Sequence, residues 1–174
     1  AASFAIEHPE MVRGLILVNT LAGMREPSEQ LRAGWRAVNE AMDRGDVPSA
    51  VEIEMRMWVD GPHREPDEVK PALREEVTAM NAKIFARIDE VEAATERELD
   101  PPVVDRLSEI AAPTMIVVGM LDQPDAVDSA DTLAGGIRDA TVVTIPDAAH
   151  LPSMERPEVF NRTVRQFLAN LAAR

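Results

Sequence analysis

Three short, uninterrupted apolar runs constrain the fold of this chain more than any other feature: Leu15-Ile16-Leu17-Val18, Met115-Ile116-Val117-Val118 and Val142-Val143-Thr144-Ile145. A strand with one wet face alternates polar and apolar residues. A continuous run is expected of a parallel strand covered on both faces by helices. Helical periodicity surrounds the runs. Residues Val127 to Ile137 bridge the second and third as the crossover of a βαβ unit, which should be right-handed. The final segment sets Val159, Phe160, Val164, Phe167, Leu168 and Leu171 on one stripe, and Pro157 suits its first turn, where a missing N–H costs nothing. Gly135-Gly136 reads as the end of the helix before the third strand. These signals predict an α/β fold of parallel strands flanked by helices.

Residues Ser28 to Asp100 differ in character. The pattern is helical throughout, with Ser28 and Asp67 as N-caps and Gly45 as a stop. Both tryptophans, Trp35 and Trp58, and four of the nine methionines, Met57 among them, fall there. An all-helical insertion between two parallel strands reads as a cap over the sheet's C-terminal edge. Trp35, Met57 and Trp58 then either line an adaptable apolar pocket for substrate or form the core between cap helices.

The chain has 174 residues, 45% of them hydrophobic, enough for one globular body with a buried core. Its net charge of −13 repels a phosphate backbone, which argues against a nucleic-acid partner. Acids interspersed with arginines, as in Arg87-Ile88-Asp89-Glu90-Val91-Glu92, read as a solvated helix face. No apolar run is long enough to span a membrane, and no signal-peptide pattern opens the chain. There is no cysteine, hence no disulfide, thiolate nucleophile or cysteine metal site. A cytoplasmic location is the expectation.

Chemistry concentrates in the last third. The strand Thr114 to Gly119 leads to Asp122, and the strand Val142 to Pro146 leads to His150. Polar side chains just beyond the C-terminal ends of parallel strands are where open α/β sheets build sites. Asp125 competes with Asp122, but Asp125-Ala126-Val127-Asp128 fits an N-cap with an acid three residues on. His8 and His63 sit beside prolines at a helix exit and a turn, and read as structural or solvent-exposed. None of Ser3, Ser28, Ser49, Ser108, Ser129 and Ser153 stands in a G-x-S-x-G turn. No metal-ligand spacing and no glycine-rich phosphate loop is visible, so neither metal nor cofactor is expected.

Four segments in order resemble the C-terminal part of the α/β-hydrolase fold family, including its enol-lactonase-like and cofactor-free haloperoxidase-like members. His8-Pro9-Glu10-Met11-Val12-Arg13-Gly14-Leu15-Ile16-Leu17-Val18-Asn19 resembles the end of the helix after the nucleophile elbow and the strand that follows. Trp58-Val59-Asp60-Gly61-Pro62 resembles a cap segment. Pro113 to Asp122 resembles the strand carrying the triad acid. Ile145-Pro146-Asp147-Ala148-Ala149-His150-Leu151-Pro152, then Glu155-Arg156-Pro157-Glu158, resembles the histidine loop and the closing helix. The likeness implies a partial hydrolase core over 1–27, a helical cap over 28–100, and a core segment over 101–174 carrying acid and histidine.

It further implies that His150 is the general base and Asp122 the acid orienting it. The serine and the usual oxyanion-hole amides would precede Ala1. In the histidine loop, where the family often has glycines, this chain has Asp147 and Ala149, and alanine disfavours positive φ. The expectation is a Ser-His-Asp hydrolase for a small ester, lactone or related carbonyl substrate, lacking its nucleophile-bearing part and inactive in this form. The alternatives are a non-catalytic remnant or small-molecule binding module of the same fold, and a two-piece enzyme. The edge of the strand Leu15 to Val18 is expected either to meet the missing N-terminal half or to self-associate.

Overall fold

A computed structural model describes residues 1–88 and 99–173. It divides into two compact units, Ala1–Glu26 with Glu98–Arg174, and Pro27–Arg97. Asp89 to Glu92, part of the acidic helix face expected above, lie outside the described residues.

The first unit holds a three-stranded parallel sheet in the order β1 (Leu15–Val18), β2 (Thr114–Gly119), β3 (Ala140–Ile145). Leu15 pairs with Thr114 and Thr114 with Ala140, so the strands run in step and finish close together. The central strand β2 is buried along its whole length. Its side chains alternate between two cores. Ile116 and Val118 join Leu15 and Leu17, the short helix α1 (Ala2–Glu7) and Leu133 and Ile137, while Met115 and Val117 join Ile145 and Ala148 on the other face. Burial of each of these β2 side chains contributes about 1.5–3 kcal/mol, and their alternation between two dry faces is why the strand reads as one apolar run.

β3 differs from the expectation that both faces are covered. It is an outer strand, and Thr141, Val142 and Thr144 are exposed while Ile145 is fully buried.

Helix α5 (Pro124–Gly136) makes the crossover between β2 and β3. It follows α2 (Glu29–Asp43), α3 (Val47–Glu54) and α4 (Pro71–Phe85) of the second unit. After β3 come the single turn α6 (Pro152–Glu155) and the long α7 (Pro157–Ala172), each opened by a proline at its first turn. Val159, Phe160, Val164 and Phe167 of α7 pack on the sheet, and Leu171 fills the space over Gly14. Leu168 departs from the expected stripe. At 51% exposed it borders an open apolar groove with Phe4 and Met11 beside β1.

The second unit packs α2 on α3 and α3 on α4. Ser28 caps α2 by accepting the Leu31 N–H at 3.1 Å. At the other end Gly45 has φ +70, its N–H donates to Met42 O, and the Asp46 N–H donates to Ala41 O. That Schellman closure requires a left-handed residue, which glycine supplies without strain.

Asp67 is not the N-cap expected of it. It lies inside a 3₁₀ turn, Pro66–Glu68, that is capped reciprocally by Glu65 and Glu68, and α4 begins afterwards at Pro71. Asp125 is corrected in the same way: Pro124 takes the first position of α5 and Gln123 the N-cap, so Asp125 falls one residue inside. In both cases a proline, with φ already set for a first turn, fixes the helix start and overrides the capping preference of a nearby aspartate.

Residues Met55–Asp60 continue α3 as a π-helical turn that ends at Gly61, φ +72. The fully buried Asp60 carboxylate closes this unit. Arg74 meets it in a two-pronged contact at 2.8 and 3.0 Å, and Arg56 approaches at 3.3 Å. Arg64 donates to the carbonyls of Val59 and Asp60. Bidentate guanidinium pairing is the arrangement that makes a buried carboxylate tolerable. Among the described residues no helix is long and apolar enough to cross a membrane.

Candidate active site

Because β2 and β3 are parallel and in register, the loops after them emerge side by side. The Met120 N–H donates to Ile145 O at 3.0 Å and the Leu121 N–H to Ala148 O at 2.9 Å, which extends the pairing past the end of the sheet. This lateral attachment brings Asp122 and His150 together. Nδ1 of His150 lies 2.7 Å from Oδ2 of Asp122.

Asp122 is 1% exposed. A carboxylate so deep requires partners for both oxygens. Oδ2 has the imidazole, and Oδ1 accepts the Gln123 N–H at 2.7 Å, at the N-terminal end of α5 where the helix dipole favours negative charge. Every buried side-chain nitrogen or oxygen among the described residues has such a partner. With the Asp122 carboxylate against Nδ1, the neutral imidazole carries its proton there and keeps Nε2 as the basic atom. The His150 side chain is 28% exposed, so the pair combines a dry acid with an accessible base.

The histidine loop is held closely. Ala148 and Ala149 are fully buried, and a Cβ on Gly119 would lie 2.1 Å from Ala149 O and 2.5 Å from Ala148 O. Only a residue without a Cβ admits the loop so near the end of β2. Ala149 carries no positive φ, since Asn19 is the one non-glycine residue with that conformation among the described residues. The alanine is therefore accommodated without strain at that position. Exposed Asp147 pairs with Arg156 across the same loop.

Two further buried polar residues touch this loop, and sequence inspection assigned neither a role. Asn19, directly after β1, donates from Nδ2 to Ala149 O and accepts the Gly119 N–H on Oδ1. Glu155, at the end of α6, accepts the Ala149 N–H at 2.8 Å. The available signals were slight: an asparagine directly after an apolar strand, and a glutamate five residues beyond the histidine.

The remaining candidates have other partners or belong to the other unit. Buried Asp125 sits in the first turn of α5. The Ser129 hydroxyl donates to Thr20 O and accepts the Gly23 N–H. His8 is exposed with its ring 4.8 Å from that of Phe4, and His63 is exposed. Trp35, Met57 and Trp58 belong to the helical unit. Met57 is buried and fills the space over Gly34 of α2, and the two tryptophans are half-buried. Among the described residues no group of histidines and acids is placed to hold a metal ion.

The alpha/beta hydrolase fold family model matches residues 1–157. The chain is 28% identical over 182 aligned positions to monoacylglycerol lipase abhd6-B of Xenopus laevis, an alignment that takes in 98% of this chain and 52% of that protein. A putative carbamate hydrolase of Variovorax paradoxus is 35% identical over 68 residues, 39% of this chain and 26% of that one. The chain thus spans about half the length of the lipase it matches end to end. Among solved structures, an esterase from Thermogutta terrifontis superposes with a TM-score of 0.67 at 22% identity, covering 98% of this chain and 60% of its own. The enol-lactonase from Burkholderia xenovorans gives 0.65 at 21% identity, covering 97% and 60%. At that identity the superpositions speak for the fold. From the family match over 157 residues and the parallel sheet beneath it, the chain belongs to the α/β-hydrolase fold family.

Proposed function

We propose that this chain is the acid- and histidine-bearing part of a serine hydrolase that acts on a small ester, lactone or related carbonyl substrate. The observation that carries the reading is the 2.7 Å contact between His150 Nδ1 and buried Asp122 Oδ2, at the C-terminal ends of adjacent parallel strands. None of the eight glycines is followed two residues later by serine, so the nucleophile of this reading lies outside these residues.

In the reaction, His150 Nε2 takes the proton of a serine hydroxyl as that oxygen attacks the substrate carbonyl. The imidazolium formed is stabilised by the Asp122 carboxylate. Nε2 then passes the proton to the leaving alkoxide, and an acyl-serine remains. Water repeats the cycle: Nε2 accepts its proton, the hydroxide oxygen bonds to the acyl carbon, and the proton returns to the serine. Trp35, Met57 and Trp58 are the proposed apolar contacts of the substrate on the helical unit. No cofactor takes part.

On this reading the open edge of β1 receives strands from the nucleophile-bearing part, and the chain by itself self-associates there. β1 pairs only with β2 among the described residues, and the groove beside it, about 640 Å³, is lined by Phe4, Met11, Leu168 and Leu171. The self-association is checked by sedimentation of wild type and Leu168→Ser, with a smaller species expected for the variant.

The test of the hydrolase reading is turnover of p-nitrophenyl esters by a longer protein containing this chain. Asp122→Asn is expected to lower kcat about 10⁴-fold, as in other triads. Unchanged kcat in that variant would discard the assignment. A small-molecule binding module on the same fold is the second reading, and it predicts ligand binding with no ester turnover in any form.

A further inference from the structure

We infer that Asn19, acting with Glu155, is the positioning residue that sets where His150 meets Asp122; this rests on the pairing of those two residues as the working acid and base. Asn19 stands at the end of β1, 130 positions from the peptide it holds, and is 3% exposed. Its N–H continues the parallel ladder to Val117 O at 2.9 Å, and its backbone then turns into the left-handed region at φ 42. Asparagine is one of the few residues that adopts that region readily.

The turn delivers one amide group to two segments at once. Oδ1 accepts the Gly119 N–H at 2.8 Å, at the last residue of the strand that leads to Asp122. Nδ2 donates to Ala149 O at 2.7 Å, one residue before His150. A single rigid side chain therefore spans the acid strand and the histidine loop, and it leaves neither free to slide against the other.

Glu155 holds the same residue from its other end. Its carboxylate is 3% exposed and accepts the Ala149 N–H at 2.8 Å. Both backbone polar groups of Ala149 are thus engaged by buried side chains from elements on either side, β1 and α6. The Leu121 N–H fixes the preceding carbonyl of Ala148, and the absent side chain of Gly119 allows the approach. Hydrogen bonds weaken steeply with misalignment, so a shift of about 1 Å at Ala149 would open the Asp122–His150 contact. The bonds of Asn19 and Glu155 to this loop go to the Ala149 peptide. The two residues act through the peptide that carries the imidazole.

The test uses ¹⁵N-histidine-labelled 174-residue chain and reads the exchange of the His150 Nδ1 proton by NMR. Loss of its signal in His150→Gln assigns the resonance. Asn19→Gly keeps the positive φ and removes both amide bonds, whereas Asn19→Asp keeps the shape and the acceptor but not the donor. Both variants, and Glu155→Ala, should exchange that proton at least about fivefold faster, with unchanged circular dichroism. Glu155→Gln, which retains a carbonyl acceptor for the Ala149 N–H, should restore the wild-type rate. If Asn19→Gly does not fold, the Glu155→Ala and Glu155→Gln pair decides. A protected signal equally slow in the folded Asn19 and Glu155 variants would overturn the positioning role and leave the pair standing. No protected His150 signal in wild type would overturn the pairing itself, and the positioning role with it.

Discussion

The Asp122 carboxylate reaches His150 Nδ1 at 2.7 Å across 28 positions of sequence, because the two strands that precede them are parallel neighbours in register. Its other oxygen accepts the Gln123 N–H at the head of α5. Asp122→Ala removes both of these buried bonds, so it should cost about 1–3 kcal/mol of stability. Asp122→Asn should cost less, but it can present an N–H to Nδ1 and reverse the imidazole tautomer. Urea unfolding measures the first effect, and the ¹⁵N shifts of the His150 ring measure the second.

Gly119 and Gly45 make opposite demands on an alanine replacement. At Gly119 the new Cβ would meet backbone oxygens of Ala148 and Ala149, which cannot swing aside as a flexible side chain could. Gly119→Ala should destabilise by about 3 kcal/mol and move the histidine loop. At Gly45 there is open space and the difficulty is φ +70 alone, so Gly45→Ala should cost about 1 kcal/mol. Comparison of their unfolding midpoints checks the ranking, and ester turnover in a longer form should fall only for Gly119→Ala.

Asp60 should be the most sensitive polar residue of the helical unit. Its removal leaves Arg74, whose guanidinium pKa is raised chiefly by its bond to this carboxylate, without its main counterion. Asp60→Ala should cost about 3 kcal/mol, the low end for breaking a buried pair because Arg74 and Arg56 keep some access to water. Trp35 and Trp58 are the chain's only tryptophans and both lie in this unit, so tryptophan fluorescence reads its unfolding selectively.

Acid should weaken the same unit in a defined direction. Asp46 caps α3, and its pKa is lowered, chiefly by the side-chain hydrogen bond with Ser49 and then by the Ser49 N–H. Glu29 is lowered by bonds to Arg36 and then Arg32. A carboxylate with a folded value below its unfolded one stabilises fully above the unfolded value, and that contribution is lost as pH falls through the folded value. Wild type and Asp46→Asn, which keeps a capping oxygen that does not titrate, should therefore show parallel stability from neutral pH down to about 5 and diverge only below the ordinary aspartate range. Fluorescence-monitored unfolding against pH checks this.

The features legible in the sequence were those that repeat or recur locally. β2 announced itself because a strand dry on both faces must be apolar at every position, and Ser28 and Gly45 because caps and left-handed stops demand particular side chains. The pair Asp122 and His150 was legible from where each falls after its strand. Asp67 and Asp125 misled because each lies one residue after a proline that takes the first helical turn. Leu168 fell off the expected stripe where α7 turns its side toward an open groove. Asn19, Glu155 and Asp60 left no pattern, since a buried side chain bonded to backbone or to an arginine far along the chain has no periodicity to betray it.

The hydrolysis of a p-nitrophenyl ester, followed for this chain alone and for a longer hydrolase that contains it, tests the account most directly. The account predicts no turnover above buffer for the 174 residues, and turnover in the longer protein that His150→Ala abolishes. Turnover by the short chain that His150→Ala removes would contradict it by putting the nucleophile inside these residues, and a longer protein indifferent to His150→Ala would contradict the role of the histidine.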